Sequence, residues 1–406
     1  MRLLHTGDWH LGDRLNHIDR TADLRRAVER IASYCLERDV EVLLVAGDLF
    51  SERSRADALR ASIAHLHETF QPFLGRGGTI VAITGNHDNE TFCRTLWHAM
   101  SLAAAGPNEG TLVPSGRFYL AAAPTFFRLC DRAGQEVQFV LMPYPTEHCY
   151  FDGETPKYAS LEEKHAALRK AFAEKVRSIQ DHPAFRSDLP TVLSAHINVQ
   201  GSTLPTLFRI TEQEDIVFTE ADLPAHWSYV ALGHIHRPQC LIGQPHIRYC
   251  GSIERLDMGE QGDSKSVALV DIGSQGLLAP PELLPLEATP FLDIAINHPA
   301  QELPRLRAEH ANVNGTLVRC LVDYKRGRDD INAIQRELRS IFPNCYQMVC
   351  RDPSDLVLSN GAASSPLAQH SVRELVLDYL KNQLADHPDC DAVLRLAETL
   401  LLEEAP

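Results

Sequence analysis

An α/β fold with a largely parallel sheet is predicted by three features of the chain. Short apolar runs alternate with amphipathic stretches of helical period through the first hundred residues, the pattern of βαβ units. The runs are β-rich and bounded by turn residues, as buried strands are. Five of them end in groups able to do chemistry: Asp8-Trp9-His10, Gly47-Asp48, Gly85-Asn86-His87-Asp88, Ala195-His196 and Gly233-His234-Ile235-His236. α/β sheets place their chemistry at such strand ends.

Taken in order, residues 2–6 read as a short buried strand. Residues 19–38 carry Leu24, Val28, Ile31, Cys35 and Leu36 at helical spacing. Residues 41–46 are a strand ended by Gly47, 55–70 a helix and 79–83 a third strand leading into Gly85-Asn86-His87-Asp88. A helix is expected at 91–105, β-rich stretches at 117–122, 125–130 and 137–142, and a hairpin at Ala133-Gly134. A charged helix at 160–180 precedes the strand 191–195 that delivers His196; the polar loop 198–215 has no clear period. Residues 229–233 deliver His234 and His236, and 246–251 and 266–272 close the layer.

Gly276–Pro290 is proline-rich and reads as a boundary. A smaller unit follows: strand 291–296, helix 301–311, strand 315–324, helix 328–341, strand 345–351. Residues 352–366 have linker composition. Ser371-Val372-Arg373-Glu374 is a capping box opening one apolar-faced helix, and a second helix is expected at about 390–402.

The 406 residues suffice for two or three domains, and 44% hydrophobic with 23% charged residues is an ordinary globular balance. No run reaches the length of a membrane span and no signal peptide is visible, so a cytoplasmic location is expected, with no membrane partner. The ten cysteines form no Cys-x-x-Cys and read as reduced thiols. A net charge of −15 argues against a surface that grips nucleic acid throughout, but bound divalent ions reverse the sign locally. No Gly-x-x-x-x-Gly-Lys-[Ser/Thr] occurs, so ATP hydrolysis by a P-loop is not expected.

Asp8, His10, Asp48, Asn86, His196, His234 and His236 are mixed oxygen and imidazole donors, a set suited to Mn²⁺, Fe or Zn. Seven donors are too many for one four-ligand site, whereas two ions roughly 3.5–4 Å apart with a bridging carboxylate use them all. If extended geometry continues past the strand ends, Asp8 and His10 project together, as do His234 and His236. Two divalent ions less the charges of Asp8 and Asp48 leave about +2, which suits a phosphate diester. His87, not needed as a ligand, is placed to protonate the leaving oxygen, with Asp88 orienting its ring.

Together the five motifs resemble the calcineurin-like metallophosphoesterases. In finer detail His5-Thr6-Gly7-Asp8-Trp9-His10-Leu11-Gly12, Ala46-Gly47-Asp48-Leu49-Phe50, Ala231-Leu232-Gly233-His234-Ile235-His236 and Arg248-Tyr249-Cys250-Gly251-Ser252-Ile253-Glu254-Arg255 resemble that family's double-strand-break repair nucleases. The likeness is strong over residues 1–275 and one of layout beyond. It implies a layered β-sandwich flanked by helices, a small α+β capping domain at 285–351 beside DNA, and helices at 367–402 that dock on a coiled-coil ATPase. It implies one Mn²⁺ on Asp8, His10, Asp48 and His236, and another on Asp48, Asn86, His196 and His234, with Asp48 bridging and His87 catalytic. It also implies a homodimer within a heterotetramer, exonuclease action on duplex ends, and endonuclease action on single strands and hairpins. Ser51 departs from the family, where many relatives have histidine; Met258 replaces a common aromatic and reads as packing.

Arg14, Arg53, Arg55, Lys325, Arg326, Arg328 and His17 are candidates for phosphate contact, with solvated surface as the alternative. The rival functions are a phosphoesterase acting on nucleotides or other small phosphodiesters, and a non-catalytic DNA-end platform. Gly-Asp-Leu-Phe-Ser and Gly-Asn-His-Asp lack the features usual in phosphoprotein phosphatases.

Overall fold

The computed structural model describes residues 1–352, apart from 53, 104–107, 152–155, 204–214, 224–226, 242 and 311–314, together with residue 393. The expected linker beyond residue 352 and the helices at 371–402 otherwise lie outside the described residues. Two sheets stack. The first runs Gly276–Leu277, Ser266–Gly273, Arg2–Thr6, Val42–Ala46, Thr79–Ile83 and Phe118–Ala121, its last four strands parallel. The second runs Gln239–Leu241, Gln244–Tyr249, Tyr229–Gly233, Thr191–His196, Glu136–Met142 and Thr125–Cys130.

Strand alternation explains the layering. Leu3, Val42, Leu44, Val81 and Ile83 face the second sheet, where Phe139, Leu141, Val192, Tyr229 and Ala231 meet them. Leu4, Leu43, Val45 and Ala82 face the other way, onto the helices Thr21–Glu37 and Ala56–Gly75. Leu24, Val28, Ile31 and Cys35 of the first helix are all buried there, as their spacing predicts. The outer face of the second sheet is covered by the helix Leu161–Gln180 through Leu168, Phe172 and Val176. Ser160 caps that helix by accepting from Glu163 N at 3.1 Å, while Glu163 accepts from Ala159 N at 2.7 Å. No described helix is long and apolar enough to cross a membrane.

Two expectations change. The proline-rich stretch does not wholly leave the first sheet: Glu282–Pro285 pairs antiparallel with Ser266–Gly273. An edge position tolerates its terminal proline, because no central ladder needs that missing N–H. The smaller unit is also parallel α/β rather than α+β. Phe291–Ile296, Leu317–Asp323 and Cys345–Arg351 are parallel neighbours in chain order, joined by helices Pro299–Glu309 and Ile331–Ile341. It has its own core, with Ile296, Leu303, Val322 and Leu338 at its centre. Leu15, Met258, Phe291, Leu317 and Tyr346 pack it against the larger unit.

Candidate metal centre

The carboxyl ends of five strands, Arg2–Thr6, Val42–Ala46, Thr79–Ile83, Thr191–His196 and Tyr229–Gly233, meet at one end of the stacked sheets. The first two are zipped together: Asp8 N donates to Gly47 O at 3.0 Å, Trp9 N and His10 N to Asp48 O at 2.8 and 2.9 Å, and Leu11 N to Leu49 O at 3.0 Å. Trp9 anchors this pair. Its ring is buried against Phe70, its Nε1 donates to Thr6 Oγ1 at 3.0 Å, and the flanking Asp8 and His10 are turned to the site.

The donors converge through left-handed backbone, not through the continued strand geometry that the sequence predicts. Asp8, His10, Asp48 and His234 have φ of 50°, 45°, 51° and 94°. Left-handed backbone at non-glycine residues is costly and is held only where surrounding bonds over-determine it, as the zipped loops do here. Close approach also demands glycine at Gly47, Gly85 and Gly233. A Cβ on Gly85 would lie 2.1 Å from Asp48 Oδ1, and one on Gly233 would lie 1.9 Å from Ala46 O.

All seven predicted donors come together. Asp8, His10 and His236 form one cluster, and Asp8, Asp48 and His196 another, each with donor atoms within 4.8 Å of one another. Asn86 Oδ1 lies 3.0 Å from His196 Nε2 and 2.9 Å from His234 Nδ1. Asp48 Oδ2 stands between the two sides, 3.5 Å from His10 Nε2 and 3.3 Å from His196 Nε2. Its Oδ1 accepts from His87 N at 2.8 Å.

The hydrogen bonding calls for cations. His196 Nδ1 is 2.8 Å from Ala46 O, which fixes the proton there and turns the Nε2 lone pair toward Asp48 Oδ2 and Asn86 Oδ1. His236 Nδ1 is likewise committed to Glu260 Oε1 at 2.9 Å, so its Nε2 lone pair faces His10 Nε2 at 3.2 Å. Asp8 Oδ1 accepts from His234 N at 2.9 Å, yet Oδ2 is buried with no hydrogen-bond partner. Electron-pair donors facing one another in a buried site repel unless a proton or metal ion lies between them. Protons partly answer the need: burial opposes charge on His196 and His236, but Asp48 and Glu260 respectively outweigh it and push each up to about 9. Burial pushes Asp8 up, while His196 and His10 hold Asp48 well below the carboxylate range despite its burial. These residues fit a pair of divalent ions.

His87 lies at the rim, its ring edge-on to His10 at 5.1 Å between centroids and 21% exposed. Asp88 does not orient that ring. Its carboxylate accepts from Gly85 N, Leu49 N and Phe50 N at 2.8, 3.2 and 2.8 Å, tying two loops together. The group facing His87 Nδ1 is Glu52, at 3.5 Å. Ser51, at the position where relatives often carry histidine, is buried and donates to Asp13 Oδ1 at 3.2 Å.

Sequence reasoning missed the outer carboxylates. Asp215 Oδ2 is 2.5 Å from His234 Nε2, and Asp215 Oδ1 accepts from Tyr144 Oη at 3.1 Å. Glu260 Oε2 accepts from Lys265 Nζ at 2.6 Å, and Lys265 also donates to His236 O at 2.8 Å. Neither carboxylate sits in a motif at a strand end. The only signal was an acidic residue in an otherwise unassigned loop.

A model of the calcineurin-like phosphoesterases matches residues 1–238. The chain is 30% identical over 279 residues to the SbcD component of the Bacillus subtilis SbcCD nuclease, covering 67% of this chain and 66% of that protein. It is 28% identical over 303 residues to the corresponding Escherichia coli K12 protein, covering 71% and 69% of the two chains. With the Rhodobacter capsulatus protein it shares 30% identity over 310 residues, 70% and 69% of the two chains. The chain thus spans about two thirds of the length of these relatives. It belongs to the calcineurin-like phosphoesterase family, on the branch of the SbcD nuclease components.

Proposed function

We propose that this chain is the manganese-dependent DNA nuclease component of a repair complex, hydrolysing phosphodiesters at duplex ends and in single strands and hairpins. The observation that carries the reading is the placement of Asp48 Oδ2 between two sets of inward-facing donors. Asp8, His10, Asp48 and His236 would hold one divalent ion and Asp48, Asn86, His196 and His234 a second, with Asp48 serving both, and the pair would supply Lewis-acid polarisation of the phosphoryl group. His87 stands at the exposed rim and gives a ring proton to the leaving oxygen. Asp88 holds the His87 loop against the Asp48 loop through its three backbone N–H bonds.

In this reading residues 1–275 are the nuclease domain, 285–351 the capping domain beside DNA, 352–366 a linker and 367–402 the helices that dock an SbcC-type coiled-coil ATPase. The relatives' names as components of SbcCD support such a partner, and the proposal includes a homodimer inside a heterotetramer. The test is cleavage of end-labelled duplex and hairpin DNA with Mn²⁺, with and without the ATPase and ATP. Cleavage of both is expected. Hydrolysis of a small phosphodiester with no attack on either DNA, partner present, would replace this reading with a small-molecule phosphodiesterase.

A further inference from the structure

Met258 and Glu260 lie two residues apart on the one-turn helix Met258–Glu260 and serve different units. Met258 packs with Phe291, Leu317 and Tyr346, one residue from each strand of the smaller sheet. Glu260 reaches the metal centre instead, where His236 Nδ1 and Lys265 Nζ share its carboxylate at 2.9 and 2.6 Å. The turn between them is stiff. Asp257 Oδ1 accepts from Gly259 N at 2.6 Å, and Leu256 N donates to Glu260 Oε2 at 3.3 Å.

The same segment also clasps the start of the smaller unit. Glu254, fully buried, accepts from Thr289 N at 2.8 Å and Thr289 Oγ1 at 2.9 Å. Arg255 Nη1 donates to Ala288 O and Thr289 O at 3.3 and 3.1 Å, and Gln261 Nε2 to Phe291 O at 3.2 Å. Ser252 Oγ joins the two halves, 2.8 Å from Lys265 Nζ and 3.0 Å from Glu260 Oε2. Residues 252–265 therefore hold a metal-site imidazole on one side and the seat of the smaller unit on the other.

We infer that the Met258–Glu260 turn couples the seating of the smaller unit to the orientation of His236. Glu260 and Met258 are positioning residues. A shift of Phe291 and Tyr346 against Met258 turns Glu260, and with it the imidazole whose proton Glu260 fixes. Ion affinity on the His10 and His236 side then depends on how the smaller unit is seated, and by linkage ion binding firms that seat. The inference rests on the metal-centre reading, but it is read out by ion binding.

The experiment is a calorimetric Mn²⁺ titration of the full chain and of Met258→Ala, Thr289→Ala, Glu260→Gln and the Met258→Ala/Glu260→Gln double variant, with unfolding in chelator as the folding control. Met258→Ala, which removes no donor, is expected to weaken one of two ions by about threefold to tenfold. The double variant is expected to bind no more weakly than Glu260→Gln alone, because both changes act through one element. Thr289→Ala removes the hydroxyl bond to Glu254 and the 3.4 Å bond accepted from Arg26 Nη2, and is expected to weaken the same ion less; it decides the matter if Met258→Ala does not fold. Wild-type affinity in both gentle variants, or losses that multiply in the double variant, would overturn the coupling. Failure of the wild-type chain to bind ions would instead overturn the metal-centre reading on which it stands.

Discussion

Glu260→Gln is the perturbation whose cost is best defined by the surrounding bonds. Glu260 is fully buried and takes Lys265 Nζ, Ser252 Oγ and His236 Nδ1 on its two oxygens. An amide can present only one oxygen. If that oxygen stays on Lys265, the NH₂ meets His236 Nδ1 and forces the proton to Nε2, where it blocks the lone pair aimed at His10. If the oxygen turns to His236, the NH₂ faces a buried ammonium.

Either way a buried ion pair is broken, which costs about 3–5 kcal/mol. Linkage gives a similar figure. Burial alone would raise Glu260, yet Lys265 and His236 hold it at about 2 against an ordinary 4.5, equivalent to about 3 kcal/mol. Because the folded value is depressed, this stability is present above pH 4.5 and is lost as pH falls from 4.5 through 2. Urea unfolding of the metal-free protein across that window is the assay. Glu260→Gln is expected to be less stable by about 3–5 kcal/mol at pH 7 and to show a shallower decline than wild type in the acid window, the remainder belonging to other depressed carboxylates such as Asp48. Its ion affinity is expected to drop about 10–100-fold. Wild-type stability and ion affinity in Glu260→Gln would refute the reasoning.

His87→Ala is expected to retain ions and DNA binding while losing cleavage by about 10²–10⁴-fold in single-turnover assays; unchanged cleavage refutes its role as acid. Asp48→Ala is expected to lose both ions by metal analysis of protein prepared without chelator, and two retained ions contradict the bridge. Gly85→Ala would place a methyl group 2.1 Å from Asp48 Oδ1 and is expected to abolish binding of at least one ion, measured by the same analysis. Deletion of residues 367–406 is expected to end co-purification with the ATPase while basal Mn²⁺-dependent cleavage persists, and continued co-purification excludes that segment as the dock.

The donors were legible because each follows a buried strand. An apolar, β-branched run as short as Thr79–Ile83 reads as a buried strand, and the residues just past its end emerge at the carboxyl end of its sheet. Asp8, His10, Asp48 and Asn86 therefore share the carboxyl end of one sheet, and His196, His234 and His236 that of the other; the stacking of the two sheets brings the sets together. The charged helix 161–180 and the βαβ repeat were likewise carried by periodicity, a local property.

Tertiary structure decided what depends on neighbours distant in the chain. The left-handed turns at Asp8, His10 and Asp48 exist because two loops about 40 residues apart zip together by backbone bonds, and no local pattern encodes that. Asp88 faces backbone donors rather than His87 because Leu49 and Phe50 arrive beside it. Asp215 and Glu260 meet His234 and His236 across 19 and 24 residues of chain, with strands of the second sheet in each interval. Strand ends declare themselves in sequence because burial and alternation are local. The carboxylates that fix each imidazole do not, because a single hydrogen bond leaves no period in the chain.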